Sequence, residues 1–227
     1  MTCSPARSAL LDQLADQIVT VVCNHPVRVA IDGISASGKT VLADELAQRI
    51  SARGRPVIRA ALDGFHHAAA IRYRQGRDSV AGYVDDSFDL VTMRRVLLEP
   101  LGPGGDRRYR SAVYDLHDES PVSLPEAVAA DDAVLICEGV MLLRPPLDDC
   151  FDLRVLVQIS DQEAVRRGCR RDAARLGGEA EVARKYRDRY LAGQGQYLRQ
   201  HRPDLRADVL IDNEDPDRPV MLARAPA

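Results

Sequence analysis

The segment Val29-Ala30-Ile31-Asp32-Gly33-Ile34-Ser35-Ala36-Ser37-Gly38-Lys39-Thr40 constrains the fold of this chain more than any other. An apolar run enters it, Gly-x-x-x-x-Gly-Lys-Thr forms its centre, and a helix-like segment leaves it. A strand that ends in such a loop and restarts as a helix gathers backbone N–H groups around one point. Gly33 and Gly38 let the chain turn there and let its backbone approach a ligand closely. The helix beginning near Lys39 adds the positive end of its dipole. Residues Gly33, Ser35, Ala36, Ser37 and Gly38 are therefore candidates for a phosphate cradle. Lys39 would reach the β- and γ-phosphates of a nucleotide, and the Thr40 hydroxyl would hold Mg²⁺. A Gly/Ser-rich turn between strand and helix is the plain alternative, and it leaves the Lys-Thr pair unexplained.

A chain of 227 residues is large enough for a full core and fits one domain. Its net charge of -3 offers no broad basic field for nucleic acid, and aromatics at 4% leave little to stack bases on. Lys39 and Lys185 are the only lysines, so one of them falls where a phosphate loop needs it. Cys3, Cys23, Cys137, Cys150 and Cys169 are scattered without a C-x-x-C spacing, which suits neither zinc nor a disulfide framework. A reducing, cytoplasmic setting is expected. No apolar stretch approaches the roughly 20 residues that cross a bilayer, so no membrane partner is expected.

Apolar periodicity predicts a helix over residues 6–23, with Leu10, Leu14, Ile18 and Val21 on one face. It could pack on the domain or form a subunit contact. Strands follow at Val27–Ile31 and Val57–Leu62, with a helix over Lys39–Ile50 between them. Residues 68–87 read as a polar loop or small insertion over the site. Phe88–Leu98 reads as a helix, Arg107–Tyr114 as a short strand or hairpin arm, and Pro125–Ala130 as a short helix. Strands at Val134–Cys137, Leu153–Ile159 and Val209–Ile211 are interleaved with an Arg-rich helix over Asp161–Leu176 and a polar helix over Glu181–His201. Pro216 onward reads as a tail. Strands alternating with helices predict a three-layer α/β domain with a mainly parallel sheet, helices on both faces and the ligand crevice at the strands' C-terminal ends.

That crevice rule tests the phosphate-loop reading. One strand ends in the Gly-rich loop, a second in Asp63, and a third in Glu138. In a parallel sheet these ends share one edge. One carboxylate there can take a proton from an attacking hydroxyl, and another can hold Mg²⁺. Asp63 could instead cap a turn, and Glu138-Gly139 could be a turn as well. His66 and His67 are adjacent, which suits one lining the pocket and the other solvated.

With these residues assembled, the chain resembles the uridine kinase-like branch of the P-loop kinases, which includes pantothenate kinases and phosphoribulokinases. The resemblance spans roughly residues 27–213. Residues 1–24, 160–180 and 216–227 then stand as N-terminal helix, lid and tail of a single domain. Its markers after the Gly-rich loop are Asp63-Gly64-Phe65-His66, Asp86-Ser87-Phe88-Asp89, Tyr114-Asp115, Glu138-Gly139, the segment Arg166–Asp172, and Ala207-Asp208-Val209-Leu210-Ile211. It implies ATP and Mg²⁺ as cofactors, Asp63 as general base, and Thr40 with Glu138 at the metal. It also implies a lid built on Arg166, Arg167, Arg170 and Arg171, with Arg167 and Arg171 as catalytic candidates. A solvated Arg face paired with Glu163 and Asp172 is the alternative for that helix.

The acceptor side departs from the family's nucleoside pattern. Tyr83 falls where an Asp holds the ribose diol, with Asp85 and Asp86 following, and His117 lies about two places early after Tyr114-Asp115. These residues, with His66 and Arg166, are the candidate acceptor contacts. The resemblance implies phosphoryl transfer to a hydroxyl, a nucleoside 5′-OH first. The alternatives are pantothenate, a sugar phosphate or a specialised metabolite. A sugar phosphate would call for cations such as Arg72, Arg74 and Arg77. A nucleotide-dependent regulatory NTPase is a further reading, although the Asn-Lys-x-Asp and Asp-x-x-Gly patterns of guanine switches are missing. Homo-oligomerisation is open.

Overall fold

The apolar runs of the sequence form one sheet buried on both faces. The computed structural model describes residues 4–122 and 125–222; Cys3 and the end of the expected tail lie outside the described residues. In chain order the elements begin with α1 (Pro5–Val19), β1 (Val27–Gly33), α2 (Lys39–Ala52) and β2 (Val57–Ala61). Short pieces follow: α3 (Ala69–Arg72), α4 (Val80–Asp86), α5 (Leu90–Met93), β3 (Arg108–Tyr109), β4 (Tyr114–Asp115), β5 (Ser120–Pro121) and β6 (Ala127–Val128). The second half carries β7 (Val134–Gly139), β8 (Leu153–Gln158), α6 (Asp161–Leu176), α7 (Glu179–Lys185), α8 (Ala192–His201), α9 (Pro203–Arg206), β9 (Val209–Asp212) and β10 (Val220–Leu222).

The main sheet has the order β10-β9-β8-β1-β7-β2, parallel except for β10. Side chains alternate across it, as a pleated strand requires. Val27, Val29 and Ile31 of β1 join Val134 and Ile136 of β7 on the face covered by α1 and α2. Ala30, Leu135 and Cys137 face the other side, against Met93, Leu97, Leu142 and Tyr197. Both faces are therefore apolar, which is why these strands read as unbroken apolar runs. The expected α/β architecture with helices on both faces is borne out.

The N-terminal helix packs on its own domain. Leu11, Leu14 and Ile18 are fully buried, and ion pairs Arg7–Glu45 at 2.7 Å and Arg49–Asp12 at 2.6 Å seam it to α2.

Four expectations are corrected. Residues 68–87 are not one irregular loop. They hold α3 and α4, and the latter is capped by Ser79, whose hydroxyl accepts from Gly82 N at 3.0 Å. Elements of four and seven residues are too short to display a helical period. Phe88 lies outside the helix that follows, because Asp89 caps α5 and Phe88 bridges to His66. The helical geometry then continues as a π-type turn over Arg94–Leu98. The expected helix over Pro125–Ala130 is instead strand β6, paired antiparallel to β3. So short a segment cannot nucleate a helix alone, and the partner strand decides its state. The expected tail returns as β10 along the edge of β9, with Val220 opposite Asp212.

The polar helix expected over Glu181–His201 runs as α7, a π-type turn at Tyr186–Leu191, and α8. Its Gly193 is a close-approach site: a Cβ there would lie 2.8 Å from the Tyr83 ring.

Candidate active site

Strand register brings the three expected strand ends together. Glu138 of β7 lies opposite Ile31 of β1 on one side and Ala61 of β2 on the other. The Gly-rich loop leaves β1 two residues further on, and β2 runs into a single 3-10 turn that carries Asp63. Gly33 and Gly38 have φ of 152° and 92°, so both use backbone conformations that L side chains rarely adopt. A Cβ on Gly38 would also stand 2.7 Å from the Asn213 amide. Ala36 is left-handed too, with φ 61°, a strained choice of the kind concentrated at functional loops.

Lys39 is buried at the N-terminus of α2, and its Nζ donates to Ile34 O at 2.8 Å inside the loop. Thr40 Oγ1 donates to Glu138 Oε1 at 3.0 Å. Burial pushes the Lys39 ammonium down from its ordinary pKa, against the pull of Glu138, Asp32 and Asp63. Burial likewise pushes the Glu138 carboxyl up, opposed chiefly by Lys39. Both groups thus carry charge at a cost. A hard dication beside Thr40 and Glu138, with phosphates on Lys39, would satisfy both. Two hard oxygen donors suit Mg²⁺, which keeps much of its water and takes few protein ligands.

A cleft of about 200 Å³ opens here, lined by Lys39, Thr40, Asp63, Tyr83, Glu138 and Arg171, among others. Asp63 is exposed to it. Arg171 enters from α6, held by Asp172 at 3.0 Å and by the Tyr186 hydroxyl at 3.0 Å. Burial raises the Tyr186 phenol to about 12, so it stays neutral and donates to Asp172. Gly168 lets α6 lie directly on Tyr186, since a Cβ there would be 2.4 Å from the ring.

The four arginines of this helix do not share one place. Arg171 lines the cleft. Arg166, Arg167 and Arg170 line a separate groove of about 440 Å³ beside Gly38, Val41 and Pro216. Arg167 donates to Asn213 O at 2.7 Å and pairs with Glu163 at 2.6 Å. Arg166, expected to touch the acceptor, pairs with Glu163 and lines this groove and not the cleft.

The acceptor candidates separate similarly. Tyr83 lines the cleft, but its hydroxyl accepts from Gln194 Nε2 at 2.6 Å. Gln194, a residue not singled out from the sequence, also accepts from Ser35 N at 2.9 Å and donates to Ser35 Oγ at 2.8 Å. The Ser35 N–H is therefore turned to Gln194 and not into the phosphate cradle. His66 packs against Phe88 with the rings inclined at 51° and their centroids 4.5 Å apart, and its Nδ1 lies 2.9 Å from Asp63 O. Burial lowers its pKa, so the ring is neutral near pH 7. Tyr114 donates to Glu119 at 3.0 Å outside the cleft. Asp85 is exposed, Asp86 is paired with Arg74, and the His117 side chain is 96% exposed in a surface turn. None of these three lines the cleft.

Two of the cationic trio are paired off with carboxylates. Arg72 is spent on Glu119 at 2.5 Å and Arg74 on Asp86, while Arg77 stacks on Tyr73. Tyr186, Tyr190, Asp172 and Arg175 also line the cleft, and the packing of α6 against the π-type turn Tyr186–Leu191 brings them there.

The fold with its Gly-rich loop is that of the P-loop kinases. A solved structure described as a possible uridine kinase from Bacillus stearothermophilus matches with a TM-score of 0.71 at 23% identity, over 89% of this chain and 97% of that one. A chain provisionally described as a fructose transport system kinase, from Silicibacter sp. TM1040, matches with a TM-score of 0.69 at 21% identity, over 83% and 94%. In sequence, the chain is similar to uridine-cytidine kinase B of Dictyostelium discoideum, 26% identical over 162 residues, 69% of this chain. The match spans 63% of that relative's length. No family model matches the chain. The resemblance to uridine kinase-like P-loop kinases is thus borne out in sequence and in fold. No helix among the described residues is long and apolar enough to cross a membrane.

Proposed function

We propose that this chain is an ATP-dependent kinase that transfers the γ-phosphoryl group to a hydroxyl of a small molecule. One observation carries the reading: Lys39, the Thr40–Glu138 pair, Asp63 and Arg171 converge on a single cleft at the ends of three parallel strands. The Gly-rich loop would hold the triphosphate, with the rest of the nucleotide running toward the groove beside Arg167 and Pro216. Thr40 and Glu138 would hold Mg²⁺, which supplies charge neutralisation to the phosphates when bound.

The acceptor hydroxyl loses its proton to the Asp63 carboxylate, which is exposed to the cleft and free of ion pairs among the described residues. Its oxygen forms a bond to the γ-phosphorus as the bond to the β-bridging oxygen breaks, and ADP leaves. Lys39, the loop N–H groups and Arg171 stabilise the charge spread over the transferring oxygens. The protein contributes position more than covalent chemistry.

The similarity to uridine-cytidine kinase B supports a nucleoside as acceptor. Against it, His117, Asp85 and Tyr114 stand away from the cleft, and Tyr83 is engaged by Gln194. A regulatory NTPase would lack a reason for Asp63 at the open side of the cleft. The test is ADP release with ATP and Mg²⁺ over a panel of nucleosides and other alcohols, with Asp63→Asn as the probe. An acceptor-dependent rate that falls at least about 100-fold in Asp63→Asn is expected for loss of a general base. Near-normal turnover in Asp63→Asn would remove the base assignment, and hydrolysis that no alcohol accelerates would favour the regulatory reading.

A further inference from the structure

Arg189 sits in the π-type turn between α7 and α8 and is 9% exposed. Three tyrosine rings surround its guanidinium: Tyr83 at 5.0 Å, Tyr190 at 5.5 Å and Tyr73 at 5.7 Å from the ring centroids. Its Nε is buried without a hydrogen-bond partner, and among the described residues no carboxylate pairs with it. Ring faces attract a cation but cannot accept the hydrogen bonds of five N–H donors. An Nε–H of a cation buried without an acceptor is costly, and an anion is a group that relieves it.

Arg189 lines a cavity of about 220 Å³ with Arg77, Arg184, Lys185, Asp78 and Glu181. Cations outnumber carboxylates there, and the carboxylates are already used. Arg184 lies 2.8 Å from Glu181 and 3.4 Å from Asp78, and Lys185 lies 3.7 Å from Glu181. Tyr190 lines both this cavity and the cleft that holds Asp63, and Tyr83, which lines the cleft, has its ring 5.0 Å from the Arg189 guanidinium. The two spaces adjoin across these rings.

We propose that the phosphate acceptor carries an anionic group, a carboxylate or a phosphate, and that Arg189 receives it. This rests on the kinase reading of the cleft and narrows its acceptor to an anionic alcohol. The hydroxyl lies at Asp63 while the anion lies beyond Tyr83 and Tyr190. A guanidinium matches both anions through paired N–H donors. Of the cations expected from the sequence to do this, Arg72 and Arg74 are paired with carboxylates elsewhere, while Arg77 lines the same cavity as Arg189.

The test uses the full chain and matched acceptors that differ in charge: glycerate and glycerol, ribose 5-phosphate and ribose, pantothenate and panthenol, with uridine as a neutral nucleoside. ADP release is expected for at least one charged member, with kcat/KM at least 100-fold above its neutral counterpart. Arg189→Gln should raise KM for that acceptor at least tenfold, and Arg189→Lys should restore part of the loss. A second measurement needs no turnover. With the loop saturated by a non-hydrolysable ATP analogue and Mg²⁺, 10 mM inorganic phosphate should raise the Tm of the wild type and not of Arg189→Gln. Both variants must still bind the analogue, which checks folding. Uridine or another neutral alcohol used equally well by wild type and Arg189→Gln overturns the proposal and leaves the kinase reading standing. So does a phosphate response equal in the two proteins, or none in either. Failure of the wild type to bind the analogue at all would instead remove the kinase reading.

Discussion

Replacing Gln194 with leucine tests how the Gly-rich loop is held. Gln194 is buried, 1% exposed, and its amide is the sole link from α8 to both Ser35 and Tyr83 among the described hydrogen bonds. Gln194→Leu keeps approximate size and removes three bonds of 2.9, 2.8 and 2.6 Å. The Ser35 N–H cannot rotate to another acceptor, so it carries the unsatisfied-donor cost of about 1–3 kcal/mol. The Ser35 and Tyr83 hydroxyls can turn and lose less, which puts the total at about 3 kcal/mol. For a domain of this size each kcal/mol moves Tm by about 2–4 °C, so the variant should melt about 6–12 °C lower. The loop also loses its tie to the cleft wall, and KM for ATP should rise about fivefold or more, since a loop free to move binds phosphate with an ordering cost. Gln194→Glu, which keeps an acceptor for Ser35 N, should fall between the two. The measurements are thermal melts with and without ATP analogue, and steady-state ADP release. A Gln194→Leu protein that melts within 2 °C of wild type with unchanged KM would refute the claim that this amide fixes the loop.

Two pH-dependent outcomes follow from the charges around the site. Burial raises the folded pKa of Glu138 above its unfolded value, so its ionisation costs stability, and that cost grows as pH rises through the raised value. Glu138→Gln should therefore melt higher than wild type at pH 7, with the gap closing toward pH 4.5, while Mg²⁺-dependent turnover falls at least about 100-fold; parallel melts and rates across pH check both. Glu163 shows the opposite sign. Its bond to Arg166 leads in lowering it from an ordinary 4.5 to about 2. Its stabilisation is fully present above 4.5 and is lost as pH falls toward 2. Glu163→Gln should melt lower than wild type at pH 7, and a pH series should show the deficit vanishing as pH approaches 2.

The local chemistry of the loop was legible without coordinates. Gly33 and Gly38 adopt positive φ as their positions in the motif require, and Lys39 begins the helix that the motif demands. The alternation of strands and helices implied a parallel sheet, and a parallel sheet brings Gly33, Asp63 and Glu138 to one edge whatever the rest of the chain does. Three of the four elements that sequence misassigned were decided by a distant partner: β6 by β3, β10 by β9, and the start of α5 by the contact of Phe88 with His66; α3 and α4 were missed because they are too short to show a period.

The sequence by itself determined the Gly-rich loop, because a strand–loop–helix motif folds out of neighbouring residues. Tertiary structure decided which side chains surround that loop and line the cleft. Arg166, Arg167, Arg170 and Arg171 are close in sequence, yet helical rotation sends Arg171 to the cleft and the other three to the groove. Ser35 and Gln194 are 159 positions apart and meet only because α8 packs beside the loop. Tyr73, Tyr83 and Tyr190 enclose Arg189 from separate segments, so the unpaired cation exists only once those segments are packed. Side chains that meet across long separations leave no period or spacing in the chain, and their chemistry is set by which neighbours remain after every other pairing is made.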